Sequence, residues 1–248
     1  MSDDEEQFSR IKQFYDDEYY GSSLADHGLP WHYRVIANRL GNLSSSKVLD
    51  VACGIGDWLS LLKSRGSEVH GIDISERAIE MCRQRFPGGD FRLGPAEELP
   101  FATGSFDLVT CLGSLEHFVQ PERALREMLR VARPDAQFLL LVPNSGFLPR
   151  RLGLFGGTHQ VKVREVVRSL DEWRALFETA GLSIEARWRD LHVLSLEWIG
   201  REGWRPWLLR CAQALALPMW PLTWQYQVYH LCRRARVDAP AVSVSGAH

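Results

Sequence analysis

Residues 48–59 read VLDVACGIGDWL. Val48, Leu49 and Val51 form the short apolar run expected of a strand buried on both faces, with Asp50 near its end. Gly54 and Gly56 then allow a sharp turn and let a ligand approach with no Cβ in the way. The helix that follows offers unbonded N–H groups at its start, which suit a carboxylate or phosphate. Strand, glycine turn and helix in this order open an α/β nucleoside-type site.

Working outward, EVHGID (68–73) is a second strand. It ends on Asp73, close to the spacing at which an acidic residue takes ribose hydroxyls in such folds. Ser75 caps a helix to about Phe86. FRLG (91–94), FDLVTC (106–111) and QFLLLVP (137–143) are strands three to five. Between the last two, Pro121 opens a helix with Leu125, Met128 and Leu129 on one face, stopping before Pro134. Ser169 and Glu172 predict a capping box for a helix that Gly181 ends. LSIEARW (182–188) and HVLSLEW (192–198) read as the closing pair of strands. Alternating elements imply a parallel sheet with right-handed crossovers. The expected fold is α/β: a doubly wound, seven-stranded Rossmann-like sheet, its last strand antiparallel, with helical additions at both ends.

The expected organisation is an N-terminal helical lid over 1–43 and a cofactor-binding domain over 44–200, with an acceptor-pocket insertion at about 144–168. A Trp-rich helical segment over 201–236 and a disordered tail over 237–248 follow. With 29 Lys+Arg against 31 Asp+Glu and a net charge of −2, no global positive field exists to hold a nucleic acid backbone. Five cysteines, an odd number with no Cys-x-x-Cys pair, argue against a disulfide framework or zinc site and fit a reducing cytoplasm. No metal site is expected. The acidic start MSDDEEQFSR lacks the apolar core of a secretory leader.

A nicotinamide fingerprint wants a third glycine where Leu59 stands, which weakens but keeps open a nicotinamide-dependent oxidoreductase. VLDVACGIGDWL, VHGIDIS, GPAEELPFATGSFDLVTCLGSLEHF and RVARPDAQFLLLVPN together resemble the class I S-adenosylmethionine-dependent methyltransferases, most of all the small-molecule branch that includes ubiquinone-type enzymes. The resemblance covers roughly Lys47 to Asn144. It implies S-adenosylmethionine as cofactor, S-adenosylhomocysteine as product and a small-molecule acceptor methylated on O or N. It implies that Asp50 sits under the methionine end and organises the glycine turn. Ala52, Cys53, Gly54 and Gly56 would wall the methionine and ribose, Asp73 would hold the ribose hydroxyls, and Ile74 would pack on adenine. Ala96 and Glu97 would lie along the adenine edge, and Cys111, Leu112 and Gly113 would face the sulfonium. Two positions depart from the pattern: Ala52 replaces the usual glycine, and Pro95 an Asp that would accept from the adenine amino group. A non-catalytic S-adenosylmethionine-binding partner protein stays open as an alternative.

Methyl transfer from a sulfonium needs placement more than acid–base help. His117, in the segment the resemblance sets beside the sulfonium, is the candidate base, with packing at a helix start as the alternative. His159 is a second candidate, with an ordinary loop histidine as the alternative. Tyr15, Tyr19, Tyr20 and Trp31 would close over the site as a lid, or simply pack on the sheet. From Cys211 to Cys232 no charged residue occurs, and Arg233, Arg234 and Arg236 follow. Pro218 and Pro221 count against a membrane span. A packed pair of helices and a peripheral membrane contact, with arginines on anionic lipid, both remain. Oligomeric state is not legible.

Overall fold

The computed structural model describes residues 3–20, 29–153, 165–195, 210–211, 214–216 and 219–236. Helix α1 (Asp3–Gln13) runs into a π-helical turn, Phe14–Tyr19. After α2 (Trp31–Arg39), strands and helices alternate: β1 (Lys47–Val51), α3 (Asp57–Ser64), β2 (Glu68–Asp73), α4 (Glu76–Arg85), β3 (Asp90–Leu93). Then come β4 (Phe106–Leu112), α5 (Pro121–Val131), β5 (Ala132–Pro143), the single turn α6 (Leu148–Arg151), α7 (Leu170–Ala180), β6 (Leu182–Arg189) and β7 (Gln227–Arg234).

The seven strands lie in the order β3-β2-β1-β4-β5-β7-β6. β1 to β5 pair in parallel, and β7 runs antiparallel to both β5 and β6. The caps read from sequence form. Ser75 accepts from Ala78 N–H at 3.2 Å. Ser169 and Glu172 make the reciprocal box, and Gly181 closes α7 at φ 98°. One core, including Leu49, Val109, Leu125, Met128 and Phe177, packs under α5 and α7; the other, including Ile36, Leu62, Ile79 and Leu139, packs under α2, α3 and α4. Trp173 is fully buried, and its indole N–H donates to Pro143 O at 2.7 Å, so its polar end is satisfied.

The last strand corrects the sequence reading. His192–Leu194 is a 3-10 turn, and residues 196–198 of the expected strand lie outside the described residues. The strand comes instead from QVYHLCRR, inside the stretch expected to be helical. Paired on both edges and covered on both faces, it needs no polar alternation, and an uninterrupted apolar run does not tell strand from helix. The domain therefore does not end near residue 200. Arg233 donates to Glu185 and to the Asp135 carbonyl, and Arg234 donates to the Leu129 carbonyl. Two of the three arginines set against lipid thus fasten the sheet edge. The expected tail over 237–248 lies outside the described residues, as do 154–164 of the expected insertion. No helix among the described residues is long and apolar enough to cross a membrane, and none of their His, Cys, Asp and Glu form a metal-holding group.

Candidate active site

A cavity opens at the carboxyl ends of β1 to β4. In an open α/β sheet this crevice, beside the strand where the order reverses, is where ligands bind. Its wall is Ala52 after β1, Ile72, Asp73 and Ile74 at the end of β2, Gly94 to Glu97 after β3, and Ser114, His117, Phe118 and Val119 after β4. Phe8, Ile11, Tyr15 and Tyr20 cover it from the N-terminal segment.

Asp73 is the electrostatic centre. Its Oδ2 accepts from Gly54 N–H at 2.8 Å and its Oδ1 from Ser75 N–H at 2.9 Å. Burial pushes its carboxyl above the usual range, and the N–H groups of Ser75, Gly54 and Ile74 oppose that shift. So Asp73 ties the glycine turn to β2, the job the resemblance implied for Asp50. Asp50 lies opposite Thr110 across β1 and β4 and accepts its hydroxyl at 2.5 Å. Burial pushes the Asp50 carboxyl up to about 8.

The turn carries Ala52, Gly54 and Gly56 at φ 59°, 52° and 80°. A Cβ on Gly54 would come within 2.7 Å of the Tyr20 hydroxyl, so glycine is required where the lid meets the turn. Ala52 holds a left-handed conformation that costs an alanine but would not cost a glycine.

Glu97 is buried and accepts from Gln120 N–H at 3.1 Å, joining the loop after β3 to the start of α5; burial raises its carboxyl. His117 is buried at the end of the 3-10 turn Leu115–His117 and lines the cavity.

The structure thus brings Tyr15, Tyr20, Ala52, Asp73, Ile74, Ala96, Glu97 and His117 onto one wall. Others expected there are elsewhere. Cys111 is fully buried in the core under α5 and α7, because its position in β4 points it into the sheet face rather than off the strand end. Cys53 is buried beside Cys82 and Gly71. Asp50, Gly54, Gly56, Leu112 and Gly113 are not among the residues that line this cavity, and Gly113 N–H is taken by Leu141 O at 2.9 Å. Tyr19 and Trp31 are 48% and 44% exposed, so half of the expected aromatic lid faces outward. His159 lies outside the described residues.

Phe8 and Ile11 were missed. With Tyr15 they stand at i, i+3 and i+7 among charged residues, a helical face that could have been read. The segment is latched by polar groups. Lys12 Nζ donates to Asp16 at 3.0 Å and to Glu76 at 3.1 Å, and Ser75 Oγ donates to Asp16 at 2.6 Å. Burial alone would raise the Asp16 carboxyl, but these bonds hold it below the usual range.

Residues 49–140 match the family model described as a methyltransferase domain. The chain is 36% identical over 107 residues to a demethylmenaquinone methyltransferase of Renibacterium salmoninarum, covering 43% of this chain and 45% of that one. It is 30% identical over 159 residues to a ubiquinone biosynthesis O-methyltransferase of Hahella chejuensis, covering 62% and 66%. The matches thus span about half to two thirds of these relatives. Its fold superposes with a TM-score of 0.64 on the 1,6-didemethyltoxoflavin-N1-methyltransferase of Burkholderia thailandensis, solved with bound 1,6-didemethyltoxoflavin and S-adenosylhomocysteine, at 16% identity over 95% of this chain and 92% of that one. Motif order, strand order and relatives agree: residues 49–140 carry a methyltransferase domain of the class I S-adenosylmethionine-dependent kind.

Proposed function

We propose that the chain transfers a methyl group from S-adenosylmethionine to an oxygen or nitrogen of a small-molecule acceptor with an aromatic or lipid portion. The observation that carries this reading is Asp73, a buried carboxylate on the wall of a largely apolar cavity, bonded to the glycine turn yet keeping acceptor capacity on its oxygens. Two vicinal ribose hydroxyls need such a group. Ile72, Ile74 and Ala96 give the flat apolar surface an adenine needs, and Glu97 lies at its edge.

The cofactor, when bound, supplies a methyl already activated on a sulfonium. The chain's own residues position, cover and dry the reactants. Ala52 and the Gly54 turn hold the end of the cofactor nearest the acceptor. His117 is the imidazole on the wall proposed to accept a proton from an acceptor hydroxyl. Phe8, Ile11, Tyr15 and Tyr20 exclude water over the site. The acceptor class draws support from the quinone-pathway names of the relatives and from the aromatic cover.

All five cysteines are free, which supports a reducing cytoplasm as the place of work. A peripheral membrane contact is a second reading for the C-terminal segment, favoured by Leu215 and Met219, which are 83% and 87% exposed. Sedimentation with anionic liposomes tests it, and a protein that stays in the supernatant rejects it.

Isothermal titration with S-adenosylhomocysteine, with NAD in parallel, tests the main reading. Micromolar binding of the first and none of the second is expected. Binding of neither overturns it.

A further inference from the structure

Glu116 is a buried carboxyl that nothing so far has used. It is 3% exposed, and its Oε2 has no hydrogen-bond partner. A bare buried carboxyl oxygen costs more than a typical hydrogen bond contributes, so its presence calls for a reason. The 3-10 turn that carries it places it one residue before His117. Its own carbonyl accepts from Val166 N–H at 2.9 Å, which fixes the turn against the chain leading into α7.

The groups around it come from every side of the carboxyl edge. Tyr15 from the lid, Cys111 from the end of β4 and Tyr226 from the entrance to β7 all feel its charge, and Glu116 feels that of Glu165. Tyr226 packs its ring on Phe147 at 5.3 Å and also senses Glu165, Arg150 and Asp190. Tyr15 and His117 line the cavity, and Glu116 precedes His117 in the same turn, close enough to Tyr15 for its charge to be felt there. Apart from Glu116 itself, the charged groups that Tyr226 senses are two carboxyls, Glu165 and Asp190, and one cation, Arg150.

We propose that Glu116 is the acceptor's anchor: its Oε2 takes a hydrogen bond from a hydroxyl or amino group of the acceptor, and the acidic surroundings exclude acceptors carrying a carboxylate or phosphate beside the reacting atom. This rests on the methyltransferase reading above. Burial pushes the carboxyl up to about 8, so near neutral pH it meets a neutral O–H or N–H without adding a full charge to the site. A bond made only when the acceptor arrives orients the acceptor atom and satisfies the bare oxygen together.

The test uses the full chain and two probes. Dicyclohexylcarbodiimide, an apolar reagent that adds to protonated carboxyls, is applied near pH 7 and the adducts are located by mass spectrometry. Glu116 is expected to be labelled, with labelling retained when S-adenosylhomocysteine fills the cofactor side. A Glu116 sealed in packing stays unlabelled, and that result overturns the proposal whatever the turnover. With S-adenosylmethionine as donor, 4-methylcatechol is expected to be used at least tenfold better in kcat/KM than 3,4-dihydroxybenzoate, which carries a carboxylate at the same ring position. E116L is expected to raise the KM for 4-methylcatechol at least tenfold, with affinity for S-adenosylhomocysteine within twofold of wild type. E116Q, which keeps an accepting oxygen, is expected to stay within about threefold of the wild-type KM. An unchanged KM in E116L removes the anchor while leaving the methyltransferase reading intact. Loss of S-adenosylhomocysteine binding in the wild type is the separate result that would remove that reading.

Discussion

The half of the sheet from β1 to β5 and the half made by β6 and β7 are built from different kinds of sequence. In the first, β1, β2 and β4 are each followed by a turn and a helix whose start is written beside it: Gly56 at α3, Ser75 at α4, Pro121 at α5. In the second, β7 lies between β5 and β6 though more than thirty residues of chain separate it from β6. Local chemistry fixes the first half. The second depends on a strand whose place is set only by partners far away in sequence.

The largest effect should come from removing that distant strand. A chain cut after Tyr226 leaves Phe138 to Leu141 of β5 and Ile184 to Trp188 of β6 without their partners. It is expected to lose cooperative thermal unfolding altogether, as followed by calorimetry. A sharp transition near the wild-type temperature would mean that the two halves are less interdependent than their pairing implies.

Asp73→Ala probes the first half. It removes the acceptor of Gly54 N–H and the proposed ribose partner, so binding of S-adenosylhomocysteine should weaken by on the order of 1.5–3 kcal/mol in titration calorimetry. Wild-type affinity would detach the glycine turn from cofactor binding.

Glu116→Gln probes the seam between the halves through pH. The folded carboxyl is raised to about 8 from an ordinary 4.5, so the folded state holds a proton that the unfolded chain releases. The stability this group supports is complete below the unfolded value and is lost as pH rises toward 8. The melting temperature of E116Q should therefore exceed that of wild type by a margin that grows from pH 4.5 to 8. A constant margin would place the carboxyl in a more solvated setting.

The smallest effect is expected at Ala52→Gly. Relief of the left-handed strain is worth roughly 1–2 kcal/mol and is partly offset by the greater freedom of glycine in the unfolded chain. A net gain of about 0.5–1 kcal/mol in denaturant unfolding is expected. A loss would show that the alanine methyl makes contacts worth more than the strain.

The same contrast explains what could be read beforehand. Val48 to Leu59, Asp73 and the capping box at Ser169 carry their structure in adjacent residues, so strands β1 to β5 and the wall from Ala52 to Glu97 were legible. QVYHLCRR was not, because a strand covered on both faces has the same uncharged look as a buried helix. Cys111 was misplaced for a related reason: motif alignment gives the position along β4 but not which face its side chain takes. Phe8 and Ile11 were legible in principle, and the surrounding charge of α1 concealed them.

Ser75 has a consequence beyond capping α4. Its hydroxyl donates to Asp16 of the N-terminal segment, and its backbone N–H donates to Asp73. One residue is thus a joint between the cover of the cavity and the carboxylate beneath it. Linkage is reciprocal: whatever free energy a ligand at Asp73 lends to closure of that segment, closure returns to the ligand. Lys12 and Glu76 extend the joint into solvent, where salt screens their attraction. Ionic strength should therefore act first on how long a bound molecule is retained, and only afterwards on what is done to it.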